Sequence, residues 1–415
     1  ARKIMTQGHQ LGVSRIVQVA QCAERTSKAF TVPRHFAQMA PWLQTERHLD
    51  ASSPRLIRIV SENMASEPSI IGQRKADHLD LCNDEQVEAR ERTTLLGDVT
   101  LIHDSLPELD SAAIDMSTTF LGHTIRLPVM ISGMTGGIER AGQINRLLAE
   151  VAEHHGMPFG LGSQRAILKD RNVAATYQVR DVAPTTLIFG NIGAVQAAEM
   201  TTAELEDLVG IVGASALCIH LNPGQEIIQD HGDRDFRGCL DGIARAASEL
   251  SVPVIAKETG CGLSPRTLDK LVSAGVRAVD VSGVGGTTWV GVEALRGQSV
   301  RQAVGETLWD WGVPTAAGVA FAHKRGLEVI ASGGLRDGQD AAKSIALGAQ
   351  LTSSALPWLR AAMNGGMAGA EQVAETLTET LRAVMLLTGS RNLDELRTAP
   401  KLIGPALRDW LTLDV

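Results

Sequence analysis

From Leu127 onward the chain repeats one beat: a short apolar run ending in a small or polar residue, then a stretch with helical periodicity. The runs are Leu127–Ser132, Met157–Gly162, Leu187–Ile192, Ala216–Asn222, Val252–Glu258, Ala278–Gly283, Glu328–Gly333 and Gln350–Ala355. Between them lie amphipathic stretches such as Arg140–His154, Gly238–Leu250, Pro265–Ala274 and Gly338–Leu347. Runs that are apolar throughout describe parallel strands buried on both faces, joined by helical crossovers. Eight such units close into a (β/α)8 barrel. An open doubly wound sheet would want Gly-x-Gly-x-x-Gly after its first strand, and Ser132-Gly133-Met134-Thr135-Gly136-Gly137 has another spacing. The fold class is therefore α/β, a (β/α)8 barrel with an N-terminal extension.

At 415 residues the chain is longer than the ~250 a barrel needs. Residues 1–63 hold nine Lys/Arg and four Asp/Glu, a net +5, which leaves −13 to the remainder of a chain of net charge −8. Met64-Ala-Ser-Glu reads like a natural start, so 1–63 is expected to be a leader or targeting segment outside the core. Residues 64–126 are expected to fold over the barrel mouth, 127–393 to form the barrel and 394–415 a tail. The net acidity disfavours a general nucleic-acid surface. No apolar run approaches the ~20 residues of a membrane span. The five cysteines are scattered and never paired as Cys-x-x-Cys, which favours reduced thiols and a cytoplasmic protein over a disulfide framework or zinc site.

In such barrels the chemistry sits at the C-terminal ends of the strands. The Gly333-Gly334 loop after the seventh run, with the segment after the eighth, offers backbone N–H groups to a phosphate; alternatively Gly-Gly is only a tight turn. Lys257 ends a buried strand and needs an anionic partner. That partner is either a flavin's pyrimidine edge or a carboxylate such as Glu258. Thr135, Ser163 and Asn191 could hydrogen-bond the edge of a flat heterocycle. His220, Asn222, Gln225 and Glu226 share one strand-and-loop segment, and one carboxylate suits a Mg2+ also held by substrate phosphates. Arg74, Lys75 and His78 precede the barrel, and with Arg165 they could clamp an anion.

With these motifs in order, the sequence resembles the type 2 isopentenyl diphosphate isomerase family from about Gln73 to about Leu393. The resemblance rests on Arg-Lys-x-x-His (74–78), Ser-Gly-Met-Thr-Gly-Gly (132–137), Gly-Ser-Gln-Arg (162–165) and His-Leu-Asn-x-x-Gln-Glu (220–226). Gly-Asp-Arg-Asp-Phe (232–236), Lys-Glu-x-Gly (257–260), Gly-Gly-Thr-Thr-Trp (285–289) and Ala-Ser-Gly-Gly (331–334) add to it. It implies FMN, Mg2+ and NADPH as reductant, a prenyl diphosphate substrate and a homo-oligomer, tetramer or octamer. It implies FMN contacts from Met134, Thr135, Ser163, Asn191, Lys257, Ser282, Thr287, Gly333, Gly334, Arg336, Ser354 and Ala355. Arg74, Lys75, His78, Arg165, His220, Asn222 and Gln225 would hold the diphosphate, and Glu226 the Mg2+. Lys257, Gln225, His220 and Glu226 would form the catalytic group. Thr288 stands where serine or asparagine is commoner, and Arg92–His103 lacks expected aromatics. The rival readings are a 2-hydroxy-acid oxidoreductase, a sibling prenyl-diphosphate enzyme and a non-catalytic flavin protein. The first wants a His-Gly-Gly-Arg pattern where this chain has Ser332-Gly-Gly-Leu-Arg336.

Overall fold

The computed structural model describes residues 70–297 and 300–413, so the expectation for residues 1–63 lies outside the described residues. The described chain opens with helix α1 (Ile70–Asp84), strand β1 (Val99–Leu101) and a hairpin of β2 (Thr118–Phe120) and β3 (His123–Ile125). The barrel follows: β4 (Val129–Ile131), α2 (Glu139–His155), β5 (Phe159–Gly160), α3 (Arg165–Lys169), β6 (Ile188–Gly193), α4 (Ala194–Glu199), α5 (Thr202–Val212), β7 (Ala216–Leu221), α6 (Pro223–Ile228) and α7 (Cys239–Glu249). It continues with β8 (Val254–Glu258), α8 (Pro265–Ser273), β9 (Ala278–Asp280), α9 (Trp289–Arg296), α10 (Val300–Thr307), α11 (Thr315–Lys324), β10 (Glu328–Ala331), α12 (Gly338–Ala346), β11 (Leu351–Ser354) and α13 (Leu356–Leu387). Last come α14 (Leu393–Thr398), β12 (Lys401–Ile403) and α15 (Pro405–Leu411). Strands β4 to β11 are all parallel and close in sequence order, β11 pairing with β4. Each of the eight apolar runs coincides with one of them, β6 alone extending one residue past its run, to Gly193. Among the described residues no helix is long and apolar enough to cross a membrane.

Two apolar clusters result from strands buried on both faces. The larger lies between barrel and helices. The smaller fills the barrel interior with Met130, Phe189, Ala216, Cys218, Ile255, Ala278, Ile330 and Leu351, with Phe120 and Ile125 of the hairpin packed among them. Side chains alternate along a strand, so the inward positions recur every second residue. Two residues beyond this apolar layer the same inward columns reach Ser132, Asn191, His220, Lys257, Asp280, Ser332 and Ser353. The interior therefore changes from apolar to polar in one step at the C-terminal ends of the strands. Helix α13 is broken by a kink at Gly366 (φ 58), and β12 pairs antiparallel with β1. Leu393, Leu396 and Leu407 near the C-terminus are buried. Thr288 caps α9, its hydroxyl accepting from Gly291 N–H and donating to Trp309 O, so threonine serves the position fully.

Candidate active site

The polar layer is cross-linked by register. Gly193, His220, Lys257 and Asp280 are successive partners across β6, β7, β8 and β9. Lys257 Nζ lies 2.9 Å from Asp280 Oδ2, with both side chains buried. Asp280 Oδ1 also accepts from the Ser332 hydroxyl. The partner of Lys257 within the chain is thus Asp280, not Glu258. Glu258 accepts four backbone N–H groups, from Thr259 to Gly262, and so shapes the loop after β8. Burial nevertheless pushes its carboxyl up to about 7. Ser132 and Ser353 share a hydroxyl hydrogen bond of 2.5 Å on the opposite wall.

A cavity opens above this layer, enclosing about 1380 Å³ with its mouth included. Every residue singled out above lines it: Arg74, Lys75, His78, Met134, Thr135, Ser163, Arg165, Asn191, His220, Asn222, Gln225, Glu226, Lys257, Ser282, Thr287, Gly333, Gly334, Arg336, Ser354 and Ala355. Trp289 lines it too. The walls differ in chemistry. One, from β4 to β6 and β9 to β11, carries neutral donors and glycine loops. Thr135 Oγ1 is buried without a hydrogen-bond partner. Gly333 and Gly334 have φ of +96° and +85°. A Cβ on Gly333 would fall 2.1 Å from Gly283 O, so the loops after β9 and β10 pack backbone against backbone. Ser282 holds a positive φ of 38° without being glycine, the kind of local strain that clusters at functional sites.

The other wall is cationic. Arg74, Lys75 and His78 project from α1, Arg165 from α3, and His220 from β7. Burial, joined by the charge of Arg74, brings the Lys75 ammonium down to about 8. Burial, with Lys257, Lys75 and Arg165 nearby, pushes His220 down to about 3. Asn191 Nδ2 donates to Leu161 O, so its Oδ1 faces His220 Nδ1 at 2.8 Å as acceptor. The neutral ring thus carries its proton on Nδ1 and presents a lone pair at Nε2. Glu226, 6% exposed, accepts from Asn222 Nδ2 at 3.0 Å, Gln229 Nε2 at 3.2 Å and Asp233 N–H at 2.7 Å. Three donors on the roughly four lone-pair sites of a carboxylate leave capacity for a cation. Arg165 stands 4.0 Å from Glu226 and 3.3 Å from Asp233.

Two acids, buried Glu293 and half-buried Glu88, fasten the N-terminal extension to the mouth. Glu293 on α9 accepts from His78 Nε2 at 2.8 Å, Arg296 Nη1 at 2.7 Å and Gln225 Nε2 at 3.3 Å. Burial alone would raise its carboxyl, but His78 and Arg296 hold it well below the usual range. Arg336 donates to Glu88, whose backbone bridges Thr287 and whose carbonyl accepts from Trp309 Nε1. Sequence reasoning missed Glu293, Asp280 and Glu88 and gave Asp233 no role. Two had a signal. Asp280 is an acid inside an apolar run, and Glu293 lies four residues after Trp289, on the same helix face.

Comparison with known proteins identifies the family. The model of the FMN-dependent dehydrogenase family matches residues 69–178 and 220–402. Among solved structures, mandelate oxidase with 3,3-difluoro-2-hydroxy-3-phenylpropionic acid superposes with a TM-score of 0.55 at 17% identity, over 80% of this chain and 95% of that one. At that identity the likeness concerns the fold alone. The isopentenyl-diphosphate delta-isomerase of Nostoc sp. is 44% identical over 333 residues, 79% of this chain and 95% of the relative. That of Pyrococcus horikoshii is 41% identical over 348 residues, 81% of this chain and 94% of the relative. The chain belongs to the isopentenyl-diphosphate delta-isomerase family, in its FMN-dependent type 2 form.

Proposed function

We propose that this protein converts isopentenyl diphosphate to dimethylallyl diphosphate, with reduced FMN in the barrel mouth and Mg2+ on the diphosphate. The observation that carries the reading is the meeting, in one cavity, of a neutral glycine-rich wall and a cationic wall whose one cavity-lining carboxylate among the described residues is the buried Glu226. The neutral wall fits a flavin. Thr135 Oγ1 is a buried hydroxyl in want of a partner, and the backbone N–H groups of Gly333 and Gly334 have none among the described residues. Thr135, Ser163 and Asn191 would hold the ring edge, with Met134 against its face. Gly333, Gly334, Arg336, Ser354 and Ala355 would hold the phosphate, and Ser282 and Thr287 the chain between. The cationic wall fits a diphosphate, and Glu226 has the hard oxygen donor that Mg2+ takes alongside substrate phosphates.

When bound and reduced, the flavin supplies the acid and base for the allylic proton shift, with NADPH as the reductant. The chain's own residues do the rest. Lys257, oriented by Asp280, places a positive charge beside the anionic flavin edge. Arg74, Lys75, Arg165, Asn222 and Gln225 fix the diphosphate, so the alkene is held in one pose. His220 gains a proton on Nε2 as the polyanion arrives and donates it to a phosphate oxygen. Trp289 and the α1 lid exclude water from a tertiary cation that water would quench. The 2-hydroxy-acid reading wants a histidine base beside an arginine on the β10 loop. Here Arg336 is paired with Glu88 and no histidine accompanies it. The test is titration of the purified protein with FMN and then with isopentenyl diphosphate and Mg2+. The reading expects micromolar FMN binding and Mg2+-dependent binding of the diphosphate. Failure to bind FMN would refute it.

A further inference from the structure

The end of the barrel away from the cavity carries a cluster that this chemistry leaves unused. Helix α2 runs back from the mouth, so its last residues, His154 and His155, lie beside the start of β5. Glu371 reaches them from α13, five residues after the kink at Gly366. His154 Nδ1 lies 3.1 Å from Glu371 Oε1, and His155 Nε2 lies 2.5 Å from Oε2. One ligand atom from each residue falls within 4.8 Å of the others. The side chains of His155 and Glu371 are about three-quarters shielded, at 22% and 24% exposure, whereas His154 is 78% exposed. Among the described residues this is the one group of three or more His, Cys, Asp or Glu with that convergence.

We propose that His154, His155 and Glu371 form a site for a transition-metal ion of the zinc class, bracing α2 to α13. Three arguments support it. The donor set is two imidazole nitrogens and one carboxylate oxygen, which suits Zn2+, Co2+, Ni2+ or Cu2+ and not Mg2+. Ligand atoms around a tetrahedral ion with bonds of about 2.0–2.1 Å stand roughly 3.3 Å apart, and the three ligand atoms here lie within 4.8 Å of one another, so side-chain adjustments of up to about 1.5 Å admit an ion. The two shielded ligands are fixed by packing, while the exposed His154 ring can turn to complete the site. Three protein ligands leave a fourth position for water. The ion would join α2 to the part of α13 that follows the kink, at the end of the barrel away from the mouth.

The test uses the full-length protein stripped with a chelator and titrated calorimetrically with Zn2+. The expected result is one equivalent bound at micromolar Kd, not displaced by excess Mg2+, with a rise in thermal midpoint as binding to the folded state requires. His155→Ala and Glu371→Gln should abolish that equivalent. His154→Ala changes an exposed side chain and leaves the fold intact, and it should weaken Zn2+ by roughly tenfold or more, at least the cost of losing an outer partner of a metal ligand. Zn2+ binding that is absent, or equal in wild type and His154→Ala, overturns the proposal. The FMN-dependent activity is untouched by either result, so the two readings fail separately.

Discussion

At the residue scale, the cavity's charges give pH and mutational signatures. Lys75 sits near pKa 8 because burial and Arg74 both disfavour its charged form. In the free enzyme the ammonium is lost as pH rises through about 8, and a diphosphate then binds more weakly. The value of kcat/KM should therefore fall across that range, since it reports the free enzyme. Lys75→Arg, charged throughout, should remove this limb of the profile. Glu226→Gln keeps the shape of the side chain but removes the charge proposed to anchor Mg2+. Flavin binding should survive in it, seen as unchanged quenching of FMN fluorescence, while turnover collapses and its Mg2+ dependence weakens. A variant as active as wild type, with the same Mg2+ requirement, would place the metal elsewhere. Lys257 and Asp280 form a buried pair, and Asp280→Asn leaves a buried cation without its counter-charge. The expected loss is about 3–5 kcal/mol of stability, measured by denaturant unfolding of the flavin-free protein. A double variant, Lys257→Met with Asp280→Asn, should recover much of it. Lys257 was legible because a lysine cannot end a buried strand without an anion. Its partner was not, because nothing in a sequence says which residue of the next strand stands opposite.

At the element scale, the barrel strands were legible and the contacts that hold the extension were not, for one physical reason. A strand buried on both faces must be apolar along its whole length, so composition marks it locally. Only the edges shifted: Met157–Gly162 contains a ladder of two residues, Phe159–Gly160, because the polar layer begins just beyond. Helix α1 and the segment after it are instead held by polar contacts with residues some 200 positions away. Asp310 accepts the backbone N–H groups of Arg90, Glu91 and Arg92, and the Arg90 guanidinium lies 3.5 Å above the Trp309 ring. The pairing of β1 with β12 is equally non-local. Asp310→Ala should therefore loosen the strap, costing about 1 kcal/mol as loss of a capping carboxylate does. It should also raise KM for the diphosphate, because Arg74, Lys75 and His78 lie on the element just before the strap. Urea unfolding and steady-state kinetics check the two effects. An unchanged KM would mean that α1 holds its position without the strap.

At the scale of the whole molecule, the account rests on a single division of the barrel. Its lower interior is apolar and packed, its upper layer polar and cross-linked, and its mouth is lined on one side by Arg74, Lys75 and His78 of helix α1. That division suits a reaction with no change of oxidation state, in which the protein orients and shields and a flavin moves protons. The most direct measurement is anaerobic incubation of the protein with FMN, a limiting amount of NADPH, Mg2+ and excess isopentenyl diphosphate, with the products separated and counted against NADPH. The account predicts many equivalents of dimethylallyl diphosphate for each NADPH consumed. Absence of dimethylallyl diphosphate, or one NADPH consumed for every product formed, would contradict it.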